Sequence, residues 1–319
     1  MLYYNSLLGY LLILVGCVLG ALSVESLLLQ WVCLEVNMLC IIPVLLGSAS
    51  EDSIMTGVKY FISQSSASVV FLISIMTADT IALSSLLSMI AILFKLGVPP
   101  FHSWMLGIIF SVNFVELLFM LTIQKFIPLI ILSQMGVSES LVIMLSVLSM
   151  LLIATSMNTN FSFHYMLFLS SVGNGMWMVV SLMTSVWMLF LGFYCVMLSG
   201  VILILIAGKL VKFSDVATSD TPKKIMVAMH FFNLGGVPPL MGFAVKLMVL
   251  KNLISMGLLI CLVLVFMSAM ILFIYTSMMY QAFTVSPSPG LNYGGSAGGS
   301  NLLMSMPLLL SLSLITWML

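Results

Sequence analysis

The chain has 319 residues, of which 62% are hydrophobic and 6% are charged, and its mean hydropathy is +1.30. These values exclude an ordinary soluble domain, and the lack of extended apolar–polar alternation excludes a closed barrel, so we predict an all-α polytopic membrane protein. Nine lysines balance nine acidic residues, and a net charge of zero gives nucleic-acid binding no electrostatic basis.

Polar residues divide the chain into about eleven apolar segments of membrane-crossing length. The first segment lacks the basic residues of a cleaved signal peptide, so we keep it as a helix. The predicted transmembrane helices are 3–24, 26–47, 54–78, 80–104, 107–133, 138–157, 162–183, 185–209, 225–252, 255–284 and 302–319.

Two connections between these helices differ from the rest in composition. The segment 210–224 is the most charged, and 285–301 is rich in Pro, Gly and Ser, which predicts a flexible loop before the last helix. By the positive-inside rule, the lysines around 210–224 place that connection and the N-terminus on the inner side, and the C-terminus outside. These lysines are Lys209, Lys212, Lys223 and Lys224.

The tetrapeptide Gly-Val-Pro-Pro occurs twice, in KLGVPPFHSW (95–104) and NLGGVPPLMGF (233–243). Proline lacks an N–H and disfavours a helical residue before it, so each copy predicts an interrupted helix whose freed backbone groups must face protein or water. A structural kink is the alternative for either copy alone. The residues predicted to break the helices are Gly97, Pro99, Pro100, Gly236, Pro238 and Pro239.

Paired interruptions at corresponding places in two halves are typical of inverted-repeat transporters. The sequence therefore predicts a single membrane domain over 1–319, with one five-helix repeat over 3–133 and a second over 138–284. The helix at 302–319 lies outside both repeats.

Four charged side chains lie deep in the predicted spans, where a charge costs about 2.5–3.5 kcal/mol on insertion scales. They are Glu35, Lys95, Lys125 and Lys246. A Glu35–Lys95 pair that forms and breaks would change the proton affinity of the next lysine, which makes these residues candidates for proton transfer. The alternatives are a structural ion pair or a protonated, hydrogen-bonded carboxyl at Glu35, and snorkelling of Lys246, which would lie about 15 Å along a helix from the second break.

Two further residues are accessory candidates, each with a structural alternative. Lys59 lies early in its span, where it could take part in proton transfer or snorkel to the interface. His102 adjoins the first break and could relay protons or be a satisfied structural histidine. The five cysteines lie in apolar runs without metal-ligand spacing, and no nucleotide loop, haem ligand set or nucleophile triad is present. We therefore predict no metal and no cofactor on this chain.

Five segments together resemble a known family over most of the chain. They are WVCLEVNMLCIIPVL (31–45), VKYFISQSSAS (58–68), KLGVPPFHSW (95–104), TIQKFIPL (122–129) and LGGVPPLMGFAVKL (234–247). They resemble the antiporter-like (Mrp-type) subunits of respiratory complex I, in the eleven-helix animal form of the subunit 2 family of mitochondrial NADH:ubiquinone oxidoreductase.

The resemblance implies a core subunit of the membrane arm in the mitochondrial inner membrane, which translocates protons while other subunits bind NADH, FMN, iron–sulfur clusters and ubiquinone. It implies lipids and neighbouring antiporter-like subunits as partners, the N-terminus on the matrix side and the C-terminus on the intermembrane-space side. By motif match, Glu35 is the membrane glutamate, Lys95 its partner, Lys125 the central lysine and Lys246 the lysine of the second broken helix.

Three departures from the family pattern concern accessory positions. Met105 and Leu106 follow Trp104 where the family has a proline and an acid, and Asn174 stands where a histidine is common. Glu116 has no family role. Two other functions fit the same residues: a free-standing cation/proton antiporter, and a scaffold subunit that holds its neighbours without pumping.

Overall fold

A computed structural model describes residues 2–47, 51–78, 83–155, 162–219, 221–238, 240–254 and 257–284 of the chain. The regular structure of this described part is helical, and it comprises fourteen α-helices. In chain order they are α1 (Leu2–Ser23), α2 (Leu27–Leu45), α3 (Glu51–Met76), α4 (Ser84–Leu96), α5 (Ser103–Ile109), α6 (Phe114–Leu121), α7 (Ile123–Met135), α8 (Glu139–Thr155), α9 (Phe163–Ser181), α10 (Trp187–Gly208), α11 (Phe213–Thr218), α12 (Thr221–Gly235), α13 (Met241–Leu253) and α14 (Leu258–Thr284).

The prediction of a polytopic helical membrane protein is confirmed. Five segments of the described residues are long and apolar enough to cross a membrane: Leu27–Leu45, Glu51–Met76, Phe114–Met135, Trp187–Gly208 and Leu258–Tyr280. Shorter apolar helices accompany them, among them α4 and α8. The total of eleven spans and the inverted repeats stay predictions, and the segments 285–301 and 302–319 lie outside the described residues.

Several predicted spans differ from the observed helices. The predicted boundary near residue 105 is wrong, because α5 runs through it. The predicted span 107–133 is divided at Thr122, and the predicted span 225–252 consists of α12 and α13. The charged connection 210–224 is not a plain loop, since it contains α11 and the first turn of α12.

The chain divides into two compact units, with the boundary between Leu145 and Ser146, inside α8. In the first unit, each helix from α1 to α4 packs on the next one in the chain. Helix α7 contacts α1, α2 and α4. In the second unit α10 packs on α9, α12 and α13, and α14 contacts α9, α11, α12 and α13. Helix α9 is buried on every side from Met166 to Ser181, and its buried residues include Ser170, Ser171 and Asn174.

Candidate functional site

The first Gly-Val-Pro-Pro ends a helix, as predicted. Gly97 has a φ of 68° and closes α4 with two hydrogen bonds, from its own N–H to the Phe94 carbonyl (3.0 Å) and from Val98 N–H to the Leu93 carbonyl (3.4 Å). A Cβ at residue 97 would lie 2.7 Å from the Met105 methyl carbon, so glycine suits both the backbone and the space. Pro99 and Pro100 lie in the non-helical segment before α5.

Lys95 lies in the last turn of α4 and is 6% exposed. The carbonyl end of a helix carries a partial negative charge, which stabilises a cation there. The Glu35 carboxylate acts electrostatically on the Lys95 ammonium, so the structure brings these two predicted partners into range of each other. Glu35 is half-buried, and its Oε1 has no hydrogen-bond partner in the described part of the chain.

The two accessory candidates lie close to the first break. Lys59 is exposed, and its ammonium donates a long hydrogen bond of 3.5 Å to the carbonyl of Gly107 in α5. His102 is half-buried and occupies the position immediately before α5. Neither the hydrogen bond of Lys59 nor the position of His102 distinguishes proton transfer from a structural role. The accessory role of both residues therefore stays a prediction.

Lys125 is 3% exposed and lies in the first turn of α7, next to an interruption that the sequence reasoning missed. Thr122 separates α6 from α7 with φ −115° and ψ −77°, and its hydroxyl donates to the Leu118 carbonyl at 2.6 Å. No glycine or proline occupies residue 122 to signal this break. Pro128, three residues after Lys125, marks the same region, because it cannot donate a helical bond to the carbonyl of Gln124.

Glu116 has a structural role at the start of α6. Asn113 donates to its carboxylate twice, from the backbone N–H (3.1 Å to Oε2) and from the side-chain amide (3.1 Å to Oε1). This arrangement is a capping box, and Asn-x-x-Glu before an apolar run is the sequence signal that could have found it.

The second Gly-Val-Pro-Pro also interrupts a helix. Gly236 has a φ of 86° and follows α12, and Val237 N–H donates to the Phe232 carbonyl at 3.1 Å. The Asn233 side-chain oxygen accepts a 3.1 Å hydrogen bond from Gly242 N–H, which joins the end of α12 to the start of α13. Pro238 lies in the break, whereas Pro239 lies outside the described residues.

Lys246 points back to this break. Its ammonium donates a 2.6 Å hydrogen bond to the carbonyl of Gly235, the last residue of α12, and is 5.8 Å from the centre of the Trp177 ring. The side chain is 6% exposed. The alternative that Lys246 snorkels away from the break is therefore wrong. The estimate of about 15 Å assumed one continuous helix, whereas α12 ends at the break and a new helix, α13, starts at Met241.

Two residues of α9 bear on the sequence reasoning in different ways. Trp177, 1% exposed in α9, was missed, because a tryptophan in an apolar helix gives no signal that it will face a lysine. Asn174, which stands where a histidine was expected, is 2% exposed in the same helix. Cation–π contacts of the Trp177 kind contribute about 0.5–2 kcal/mol.

The described fold and the site define a multi-pass helical membrane protein in which lysines are buried beside interruptions of the helices. Solved structures share this fold. A chain of respiratory complex I from Thermus thermophilus has a TM-score of 0.80, with 19% identity and coverage of 97% of this chain and 78% of that chain. A chain of the Mrp complex from a Dietzia species has a TM-score of 0.77, with 14% identity and coverage of 95% and 74%.

Sequence relatives identify the family. NADH-ubiquinone oxidoreductase chain 2 of Xenopus laevis is 30% identical over 314 residues, which cover 91% of each chain. The Pongo pygmaeus protein of the same name is 32% identical over 263 residues, or 76% of this chain and 75% of its own. No protein-family model matches the chain. The chain belongs to the NADH-ubiquinone oxidoreductase chain 2 family, as its sequence motifs predicted.

Proposed function

We propose that the chain is a core membrane-arm subunit of respiratory complex I in the mitochondrial inner membrane. In this proposal it couples NADH oxidation and ubiquinone reduction, which occur in other subunits, to proton translocation. The supporting observation is the burial of Lys95, Lys125 and Lys246 beside three helix interruptions. Family membership supports the assignment to this complex. The buried lysines are groups that can change charge inside a membrane.

The proposed mechanism uses the electrostatic interaction between Glu35 and Lys95. When the pair is close, the carboxylate stabilises the ammonium, and when the pair separates, a proton on Lys95 is less stable. Lys125, in the same unit, responds to this change by gaining or losing a proton. Lys246 passes the proton or the electrostatic signal onward, and its contact with the Gly235 carbonyl holds its Nζ at the second break between transfers.

The rest of the assignment follows from the same proposal. The segments 3–133 and 138–284 are two inverted five-helix repeats, each with a helix broken at Gly-Val-Pro-Pro, and lipids and neighbouring antiporter-like subunits surround them. The N-terminus lies on the matrix side and the C-terminus on the intermembrane-space side. The chain holds no metal or cofactor, and NADH, FMN, iron–sulfur clusters and ubiquinone bind to other subunits.

Replacement of Lys125 tests the proposal. Lys125→Met keeps the length of the buried side chain and removes its charge, so the assembled complex should lose most NADH-driven proton uptake into proteoliposomes. The exposed lysine of α13 provides the matched control, because Lys251→Met removes a charge outside the buried set and should pump normally. Normal proton stoichiometry in Lys125→Met would overturn the assignment.

Two other results would favour the alternative functions. Sodium-for-proton exchange by the purified chain alone in liposomes would favour a free-standing antiporter, which the shared fold with the Mrp chain makes worth measuring. Loss of assembly in every neutralised variant, with normal coupling in whatever complex forms, would favour a scaffold.

A further inference from the structure

A lysine lies on the outer surface of α3, within a segment that is long and apolar enough to cross a membrane. Lys59 is exposed, and so are Met55 before it and Ile62 after it on the same side of the helix. Helix α3 has 26 residues, or about 39 Å, whereas the apolar core of a bilayer is about 30 Å thick. Lys59 lies about 12 Å along the helix from Glu51, so a centred α3 places its backbone about 8 Å inside that core.

The Lys59 ammonium lies against α5. It donates a hydrogen bond of 3.5 Å to the Gly107 carbonyl. The next residue, Tyr60, packs edge-on against Trp104 of α5 with ring centres 6.1 Å apart, so α5 lies beside α3 at this level. The bond to Gly107 is long, and an ammonium has three donors, so most of the hydrogen-bonding capacity of Lys59 is unused within the described part of the chain.

No carboxylate of the described residues lies within ion-pair distance of Lys59. The two acidic residues at the start of α3 are about two turns away. Glu35 of α2 comes one turn after Trp31, whose indole N–H donates to the Ser68 carbonyl at 3.1 Å. Glu35 therefore lies level with Gln64, about 7.5 Å along α3 from Lys59, and Gln64 is on the buried side of the helix.

Small and polar residues surround Lys59 on this outer surface. Ser66 is exposed two turns further along α3, and Ser103 and Gly107 are exposed one turn apart on α5. A Cβ at residue 107 would meet nothing within 4 Å, so the surface is open beside the carbonyl that contacts Lys59. Interfaces between transmembrane helices are enriched in small residues, because these let the backbones approach closely. We call Lys59, Ser66, Ser103 and Gly107 the Lys59 face.

We propose that the Lys59 face is the contact surface for a transmembrane helix of a neighbouring subunit, and that a carboxylate of that helix pairs with the Lys59 ammonium beside the Gly107 carbonyl. Charge identifies the partner, because a cation at this depth requires a counter-charge or water, and acyl chains supply neither. A helix with a carboxylate opposite Lys59 neutralises the cation and covers the small residues. The proposal rests on the proposed function, in which other membrane subunits adjoin this chain.

Cross-linking of the unmodified complex tests the ion pair directly. A membrane-permeant carbodiimide activates a carboxylate, and an amine in contact with it forms an amide bond while the carbodiimide leaves as a urea. Mass spectrometry of the digested complex should recover the peptide of Lys59 joined to a carboxylate of another subunit. Lys59→Met should abolish this product, whereas Lys251→Met, which removes an exposed lysine of α13, should keep it. If Lys59 is joined only to carboxylates of its own chain, or is left unjoined where other lysines react, the proposal is refuted.

Charge reversal tests whether the pair holds the subunits together. Lys59→Glu places a like charge opposite the partner carboxylate, so the fraction of complexes that lose a neighbouring subunit in mild detergent should rise about tenfold. Lys251→Glu makes the same change outside the Lys59 face and should leave that fraction unchanged. Replacing the cross-linked partner carboxylate by lysine in the Lys59→Glu complex should restore retention, which a general loss of stability would not allow. Equal retention in Lys59→Glu and the unmodified complex contradicts the proposal.

A lipid phosphate is the other counter-charge available in a membrane, and its outcome is distinguishable. If a cryo-EM map of the complex shows a phospholipid phosphate instead of a carboxylate within about 4 Å of the Lys59 Nζ, the interface is wrong and the proposed function stands. If the chain purifies from its membrane without other subunits, the proposed function fails first.

Discussion

Lys246 is a buried cation whose ammonium is held by a main-chain carbonyl. Gly235 is the last residue of α12, and its carbonyl lacks a helical donor, so it is available to the ammonium at 2.6 Å. The negative end of the helix dipole adds to this attraction. Lys95 has a related position in the last turn of α4. At the residue scale, then, these two buried lysines lie at the carbonyl ends of interrupted helices.

Part of this arrangement could be predicted from the sequence. The Gly-Val-Pro-Pro motif predicts free carbonyls beside Lys95, because proline and glycine act on the local backbone. The position of Lys246 could not be predicted in the same way, since it depends on the direction in which α13 restarts. The hydrogen bonds from Asn37 and Tyr60 to Gln124 were also missed, because these residues come from three helices whose packing the sequence does not state.

A substitution at Gly236 tests the lysine–carbonyl contact. The residue has a φ of 86°, and a Cβ there would lie 3.1 Å from both the Nζ and the Cδ of Lys246. Gly236→Ala should cost about 1–2 kcal/mol from backbone strain and displace the ammonium from the Gly235 carbonyl.

The measurement is proton uptake per NADH oxidised, together with the temperature at which the solubilised complex loses activity. Gly192→Ala is the control, because a Cβ at residue 192 would meet nothing within 4 Å. If Gly236→Ala and Gly192→Ala behave alike in both assays, the contact is not important for coupling.

At the element scale, the chain interrupts its helices in two different ways. The breaks after α4 and α12 use glycines with positive φ, and proline motifs reveal them in the sequence. The break at Thr122 has neither signal, and it divides a stretch that is otherwise apolar enough to be one span. Periodicity and composition therefore predicted the long helices well, whereas breaks set by tertiary packing required the structure.

The capping box at the start of α6 leads to a stability prediction. Asn113→Ala removes the side chain that donates to Glu116 and should lower stability by about 1 kcal/mol, the usual cost of losing an N-cap. The expected result is a lower inactivation temperature of the complex with normal proton uptake per NADH oxidised. A changed proton ratio at normal thermal stability would instead assign Glu116 to the coupling residues.

At the scale of the whole molecule, each of the two units of the described fold has a helix interrupted at Gly-Val-Pro-Pro and at least one buried lysine. Lys95 and Lys125 belong to the first unit, and Lys246 belongs to the second. The sequence predicted two halves from the repeated motif, but motif spacing cannot establish that the halves are inverted copies. Family membership was predictable because its motifs occur in the right order over most of the chain.

A double variant tests whether the lysines of the two units act in series. If one proton path or signal uses both, Lys125→Met and Lys246→Met together should lower pumping no further than the more severe single variant, because residues that act as a unit are not additive. The comparison requires proton uptake per NADH oxidised for both single variants and the double variant. Losses that multiply would indicate independent routes.

The acceptor of Lys246 is a main-chain atom, and this has a consequence for mutagenesis. An alanine scan replaces side chains only, so every variant in such a scan would retain the Gly235 oxygen. A peptide oxygen also does not titrate in the pH range in which enzymes are assayed. Neither an alanine scan nor a pH titration would therefore reveal the contact between Lys246 and the Gly235 oxygen. Replacing the Gly235 amide linkage by an ester, or altering the local backbone geometry, would test it.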